Sequence, residues 1–440
     1  MKPVRSRIGI VIGMCALVLL LGSKTVSAAE DAESIWKTLG FKFFGSADVA
    51  YTHNFNNPNT NLNQLRIFDS QANSFVPHMM VIGVERPAMA GSAMDRLGFR
   101  ARIGFGADAR YSRTRTNYQP GTDNNELDVQ ELYAEYIVPV GNGLKIQAGE
   151  MYPLTGFEVV NSYENPNFSR SFTFGLAQPF AVTGIRFIYP FTSWATLSMG
   201  VNNGWDNIED DNRSKTFEYL VALTPHEKFG VSIYGTYGSE QSNGNAIDGQ
   251  AGVGVCVNGA TRCDPSAKRT VVGAVITIKP TDKDTIVLEP YYGNEGNASE
   301  HSKSHNARWN AFLVYYTHDF NDQQQPHAFS FRMRGEIFED AGGARSCIGG
   351  ANINGGTDTC ATFPGAVGFV SGRGLFNTAF GAGTRQTLWE GTWTLQYKPA
   401  SSLITRAEFR YDKSDQNVFL YGQRPTNHQE TLAFHVIYLF

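Results

Sequence analysis

The chain has 440 residues, a formal net charge of −4, and 18 % charged positions, where ordinary soluble domains average about 25 %. Aromatic residues make up 12 %, glycine fills 45 positions, and mean hydropathy is −0.27. A multi-span helical membrane protein is excluded, since it needs several apolar runs of about 20 residues; so is a long disordered chain, which lacks rings. An all-β chain remains, as a soluble sandwich or repeat protein or as an outer-membrane barrel.

The first element is the apolar run Ile8 to Leu21. It follows Lys2, Arg5 and Arg7 and precedes Val26-Ser27-Ala28-Ala29. That order of basic, apolar and small residues predicts a secretory signal peptide over 1–28, followed by a short periplasmic segment, 29–40. Cleavage removes four basic residues (Lys2, Arg5, Arg7, Lys24) and no acids, leaving a mildly acidic mature chain with no sign of a nucleic-acid partner.

From residue 41 to 440, segments of 10–14 residues alternate apolar and polar side chains, as transmembrane strands do. The alternation is clearest in 97–111, where Leu97, Phe99, Ala101, Ile103, Phe105, Ala107, Ala109 and Tyr111 oppose Arg100, Arg102, Asp108 and Arg110. Strands are predicted near 41–55, 73–87, 97–113, 127–139, 143–153, 180–191, 194–205, 215–225, 229–240, 269–279, 284–295, 307–320, 327–340, 386–398, 402–415 and 428–440. The phase of 127–138 changes near Glu131, as a bulge requires. Short connections such as Gly141-Asn142, Thr192-Ser193 and Ala400-Ser401 alternate with long ones near 56–72, 114–126, 154–179, 206–214, 241–268, 296–306, 341–385 and 416–427. The fold class expected is therefore all-β: a transmembrane antiparallel up-and-down β-barrel of about sixteen strands. Long extracellular loops and short periplasmic turns complete it, in the outer membrane of a Gram-negative-type bacterium.

Four cysteines of the mature chain fall in loop-like stretches as Cys256 with Cys263 and Cys347 with Cys360. Two local disulfides are the simplest of three connectivities. The last strand ends in Phe440, with Tyr438, Val436, Phe434 and Leu432 in phase before it. Such an end resembles the assembly signal that barrels present to their insertion machinery.

Several stretches resemble the putative β-barrel porin-2 (OmpL-like) family of outer-membrane proteins. They begin with Gly45 through Tyr51, Asn54-Phe55-Asn56, Arg66-Ile67-Phe68-Asp69 and Asn73-Ser74-Phe75. They continue with Asn165-Pro166-Asn167-Phe168-Ser169-Arg170-Ser171, Pro179-Phe180, Thr183-Gly184, Asn203-Gly204-Trp205-Asp206-Asn207, Asp211-Asn212 and Lys215-Thr216. The resemblance implies a pore-forming barrel whose solute is often unassigned, and it brings no catalytic residues. The long 341–385 loop with its cysteines departs from the family pattern.

Catalytic motifs are missing: neither GxSxG nor HExxH occurs, and no cofactor or metal site is expected. The acidic stretch Asp206, Glu209, Asp210 and Asp211 lacks EF-hand spacing and reads as a solvated loop. Charges facing lipid cost about 2–4 kcal/mol for Arg or Lys, so Arg100, Arg102, Asp108, Arg110, Arg332, Arg334, Glu336, Arg406, Glu408 and Arg410 are expected to line the pore. Loop 154–179, with Glu158, Glu164, Arg170 and five aromatic residues, is expected to fold inward as a constriction. Its acids would oppose an arginine wall across a transverse field. The function predicted is a porin passing small hydrophilic solutes or ions, with outer-membrane lipid as its setting. A homotrimer is common for porins of this size. The alternative is a plugged structural or adhesion barrel acting through loops 241–268 and 341–385.

Overall fold

A strand with one apolar and one polar face survives in lipid only if both of its edges are paired, which closes the sheet. In the computed structural model, residues 39–114, 126–210, 212–240, 266–296, 306–343, 345–346 and 385–440 are described. The strands are β1 (Lys42–Asn54), β2 (Ser74–Arg86), β3 (Leu97–Phe105), β4 (Leu127–Val138), β5 (Leu144–Met151), β6 (Val182–Thr192), β7 (Ala195–Asn202), β8 (Thr216–His226) and β9 (Phe229–Ser239). They continue with β10 (Lys268–Ile278), β11 (Asp284–Glu295), β12 (Ala307–Asp319), β13 (Ala328–Asp340), β14 (Gln386–Ala400), β15 (Leu403–Ser414) and β18 (His428–Leu439). Between the last two lies a small hairpin of β16 (Phe419–Tyr421) and β17 (Arg424–Thr426). Each barrel strand pairs antiparallel with its neighbours in sequence, and β1 closes the ring on β18, with Ala50 opposite His435. Sixteen strands thus form one barrel.

The exposure pattern separates this barrel from a soluble sandwich. Phe43 (61 %), Ile337 (50 %) and Phe434 (55 %) are exposed, whereas Arg334, Asp340 and Asp412 are fully buried. Apolar side chains point out and charges point in, as a lipid-embedded barrel requires. The rings of Trp389, Trp393, Tyr397 and Tyr411 share the outward face. Tyr397 stacks on Phe329, and Tyr438 stacks on Phe440, whose backbone pairs with Gly45 beside the seam.

Two local features depart from ideal alternation. The expected bulge is present where Arg102 pairs with Glu131 and Ile103 with Val129, so Gln130 and Glu131 both turn inward. The predicted strand 97–113 is shorter than expected. It stops at Phe105, because Gly106 takes φ +139 and Asp108 precedes a helical turn, α1 (Ala109–Ser112). Asp108 and Arg110 are therefore not strand residues of the lumen wall. Asp108 binds His78 at 2.8 Å, and Arg110 donates to the Ala107 carbonyl and lies over the Tyr111 ring. The signal segment 1–28 and Cys256, Cys263, Cys347 and Cys360 lie outside the described residues.

Candidate functional site

The lumen is crossed by loop L3 (152–181), which leaves β5, traverses the interior and returns at β6. Its fold is set locally by side chains that replace missing backbone partners. Asn165 closes the loop on itself, its Oδ1 accepting from Val159 N–H (2.9 Å) and its Nδ2 donating to Val159 O (2.6 Å). Ser171 caps a short helix, α2 (Phe172–Ala177), by accepting from Phe174 N–H at 3.0 Å. Glu158 accepts from both the backbone and the hydroxyl of Ser171 (2.8 and 2.7 Å).

The wall then grips this loop through charged groups. Glu408 of β15 accepts from the N–H groups of Phe168 (2.6 Å) and Ser169 (2.9 Å). Glu336 of β13 accepts from Phe172 and Thr173, both at 2.7 Å, satisfying two amides that a helix start leaves open. Such charge-assisted bonds are about twice as strong as neutral ones. Arg406 donates to the carbonyls of Ser162 (2.9 Å), Asn165 (2.9 Å) and Asn167 (3.3 Å). Across the barrel, Arg102 meets Glu164 at 3.1 Å, and Gln178 donates to Glu289 at 3.0 Å. Ser162 donates to Asp48 on β1, and Phe168 lies between the rings of His78 and His435.

A second inward loop, L1 (55–73), joins the first through a chain of alternating charges. Asp69 pairs with Arg66 (2.8 Å), Arg66 with Asp412 (2.7 Å), and Asp412 with Arg410 (2.7 Å). Arg410 reaches Glu390 (3.6 Å), Glu390 holds Arg334 (2.6 Å), and Arg334 holds Glu158 (2.7 Å). All seven side chains are at most 3 % exposed. A buried ion costs several kcal/mol unless paired, so alternation of sign is what makes this chain tolerable. At the long-loop end, Phe68, Tyr111, Phe172, Phe174, Phe180, Trp205 and Trp309 pack into an apolar cluster inside the barrel.

These contacts revise the expected constriction. Glu158 and Glu164 do not stand opposite an arginine wall across a gap; they close onto Arg334 and Arg102 in direct ion pairs. Arg170 stays within the loop, bonding the Val160 carbonyl, with its guanidinium 4.9 Å from the centre of Phe68. Of the other residues expected at the lumen, Arg100, Arg102, Arg332, Arg334, Glu336, Arg406, Glu408 and Arg410 lie on inward-facing strand positions. Asp206 is not solvated: it is buried, and its Oδ1 accepts from Phe180 (2.6 Å) and Ala181 (3.1 Å), fixing the return of L3. The L1 residues Arg66 and Asp69 belong to the site without any local charge pattern to mark them; the available signal is Leu65, Ile67 and Phe68, of the same aromatic and aliphatic kind that marks L3 as inward-folding.

Toward the short-turn end the interior opens. Arg100 (23 % exposed) pairs with Glu85 and Glu131, and Lys145 (31 %) with Glu135, on one side of this vestibule. A cavity of about 370 Å³ at the turns of β8, β9 and β10 is lined by Thr224, Ser232, Val275 and Thr277 among others.

A closed sixteen-strand barrel with outward apolar rings, a charged interior and an infolded third loop defines an outer-membrane protein of the porin type. The model of the family described as "Putative beta-barrel porin-2, OmpL-like" matches residues 40–440, and the chain belongs to that family. No curated protein matches the sequence. Among solved structures, Pseudomonas putida OprB at high pH is similar with a TM-score of 0.55 and 11 % identity, covering 93 % of this chain and 96 % of that one. An anion-selective porin from Comamonas acidovorans gives a TM-score of 0.53 at 8 % identity, over 91 % and 99 % of the two chains. Salmonella typhi OmpF in complex with daunomycin gives 0.51 at 13 %, over 92 % and 99 %. At these identities the likeness is one of fold.

Proposed function

We propose that this protein is a diffusion porin for small hydrophilic solutes, in which the seating of L3 sets the size of the passage. Solutes move down their own gradients, without cofactor or covalent step. The observation that carries this reading is the polar character of the loop's anchorage. L3 is held across the lumen by carboxylates and guanidiniums of the wall, above a vestibule lined by paired charges. A barrel built only as a scaffold needs no charged interior, and apolar packing in its place is often as stable or more so. The insertion machinery and a trimeric assembly belong to the same proposal, as does export by the 1–28 signal.

The depth of burial around L3 favours a second reading, a sealed barrel acting through loops 241–268 and 341–385. Conductance of the full chain in planar bilayers, with liposome swelling across sugars, amino acids and organic acids, separates the two. Discrete conductance steps are expected, and they change in Glu158→Gln and Arg102→Ala variants. A barrel that neither conducts nor swells liposomes refutes the diffusion reading.

A further inference from the structure

Cations that face the lumen are, with few exceptions, met by a carboxylate. Arg100 meets Glu85 and Glu131, Arg102 meets Glu131 and Glu164, and Lys145 meets Glu135. Arg186 meets Glu218, Arg269 meets Glu295, and Arg334 and Arg410 share Glu390. Arg332, Lys398 and Arg406 break the pattern. They lie together on the inner face of β13, β14 and β15: Arg332 is opposite Thr394, Gln396 is opposite Arg406, and Lys398 follows two residues after Gln396. Among the described residues, none of the three has a carboxylate oxygen within 4.0 Å.

Their hydrogen bonds go to neutral oxygens instead. Arg332 donates to Ser330 Oγ (3.1 Å) and, at 3.3 Å, to the Pro166 carbonyl on L3. Lys398 donates to the Gln323 carbonyl (2.6 Å), and Arg406 to Gln396 Oε1 (3.0 Å) besides the L3 carbonyls. Carbonyls satisfy N–H groups but leave each charge without a carboxylate in direct contact. Arg332 acts on both Lys398 and Arg406, and the acids within reach of the three are Asp319, Asp322, Glu408 and Asp48. Glu408 is spent on Phe168 and Ser169, and Asp48 on Met79, Ser162 and His435, while Asp319 and Asp322 act on Arg332 and Lys398 only from beyond 4.0 Å. Arg406 is buried beneath L3, whereas Arg332 and Lys398 are half-buried and open to the turn-side vestibule.

We propose that Arg332 and Lys398, backed by Arg406, form a binding site for a small oxyanion, the carboxylate or phosphate group of a solute in the turn-side vestibule. A guanidinium presents planar donors that fit such an oxyanion, and an ammonium adds a mobile point charge. An anion here also relieves the repulsion that the fold imposes by holding like charges together. Through Arg332 and Pro166 the site abuts the underside of L3, so anionic solutes are concentrated where the passage narrows. That consequence for transport rests on the diffusion reading; the binding itself does not.

The test is calorimetric titration of the full chain, refolded in detergent at low ionic strength, with inorganic phosphate in one arm and acetate in the other. Saturable binding that weakens with added salt is expected in at least one arm, and the tighter arm identifies the oxyanion. Arg332→Gln and Lys398→Gln should each weaken it about tenfold, the order expected for losing one nearby charge in a partly wet site. Arg332→Lys should keep most of the affinity, and Lys228→Gln, at an exposed turn of the same end, should leave it within about twofold. Far-UV circular dichroism and heat-modifiable gel migration confirm that each variant is a barrel. Absence of saturable binding overturns the proposal, and so does binding that both glutamine variants leave intact or that Lys228→Gln weakens equally. A non-conducting barrel that still binds phosphate refutes the diffusion reading alone.

Discussion

Replacing Arg334 by Met tests how L3 is held. The guanidinium is fully buried and serves Glu158 (2.7 Å), Glu390 (2.6 Å) and the Ser169 carbonyl (2.6 Å) at once. Methionine fills much of the volume but leaves Glu158 and Glu390 without their main partner. Breaking one side of a buried pair costs about 3–5 kcal/mol, whereas a neutral staple such as Asn167 to Thr394 contributes about 1 kcal/mol. At 1.4 kcal/mol per factor of ten, the unseated form of L3 gains roughly two to three and a half orders of magnitude in population. Single-channel recording in planar bilayers should therefore show higher conductance and more frequent transitions than the parent. The double variant Arg334→Met with Glu158→Gln should be milder than the single one, because the amide oxygen keeps the bonds from Ser171 while the unpaired acid is gone, and Glu390 is left to Arg410. A folded Arg334→Met barrel with parental conductance and dwell times refutes the reasoning, as does a double variant that is more disrupted than the single.

Two further outcomes are expected. Burial pushes Glu240, in the loop after β9, up to about 7 from 4.5, against hydrogen bonds from Thr216 and the Trp205 amide. A raised acid supports the fold fully below about pH 4.5, and that support is lost as pH rises through 7, on the order of 3 kcal/mol in all. Gel-shift melting should fall over this window more steeply in the parent than in Glu240→Gln; equal pH profiles would contradict the assignment. On the outer face, Ile337→Arg puts a charge at an exposed position in the long-loop half of β13, three residues from its end. It should cost about 1–2 kcal/mol in urea titrations of folding into lipid vesicles, between the midplane and interface values for such a charge. An unchanged midpoint would remove Ile337 from the lipid face.

The barrel was legible in the sequence because its rule is local. A period of two, repeated strand after strand, needs no knowledge of the partner, and the phase change at Glu131 announced the bulge. The same rule misled beyond Phe105, where Ala107, Ala109 and Tyr111 keep the alternation although Gly106 has already turned the chain. L3 could be identified as inward-folding from its aromatic content. What it would meet could not be read, since Glu158 finds Arg334 across 176 positions and Arg66 finds Asp412 across 346. Separations of that size are set by barrel closure and carry no trace in the local pattern. Asp206 shows the same limit: an acidic stretch looks solvated until the backbone amides of Phe180 and Ala181 are brought to it.

The alternating chain from Asp69 to Glu158 has an evolutionary corollary. Each of its five inner charges answers to two neighbours of opposite sign and each end charge, Asp69 and Glu158, to one, so reversing an inner member creates two repulsive contacts and only coordinated change restores the pattern. Pairwise mutational scans across L1, β13, β14, β15 and L3 should therefore show strong epistasis confined to these seven positions, with adjacent members buffering one another's loss. Lineages are then free to alter vestibule charges such as Lys145 singly, while the loop anchorage moves as a block or stays fixed.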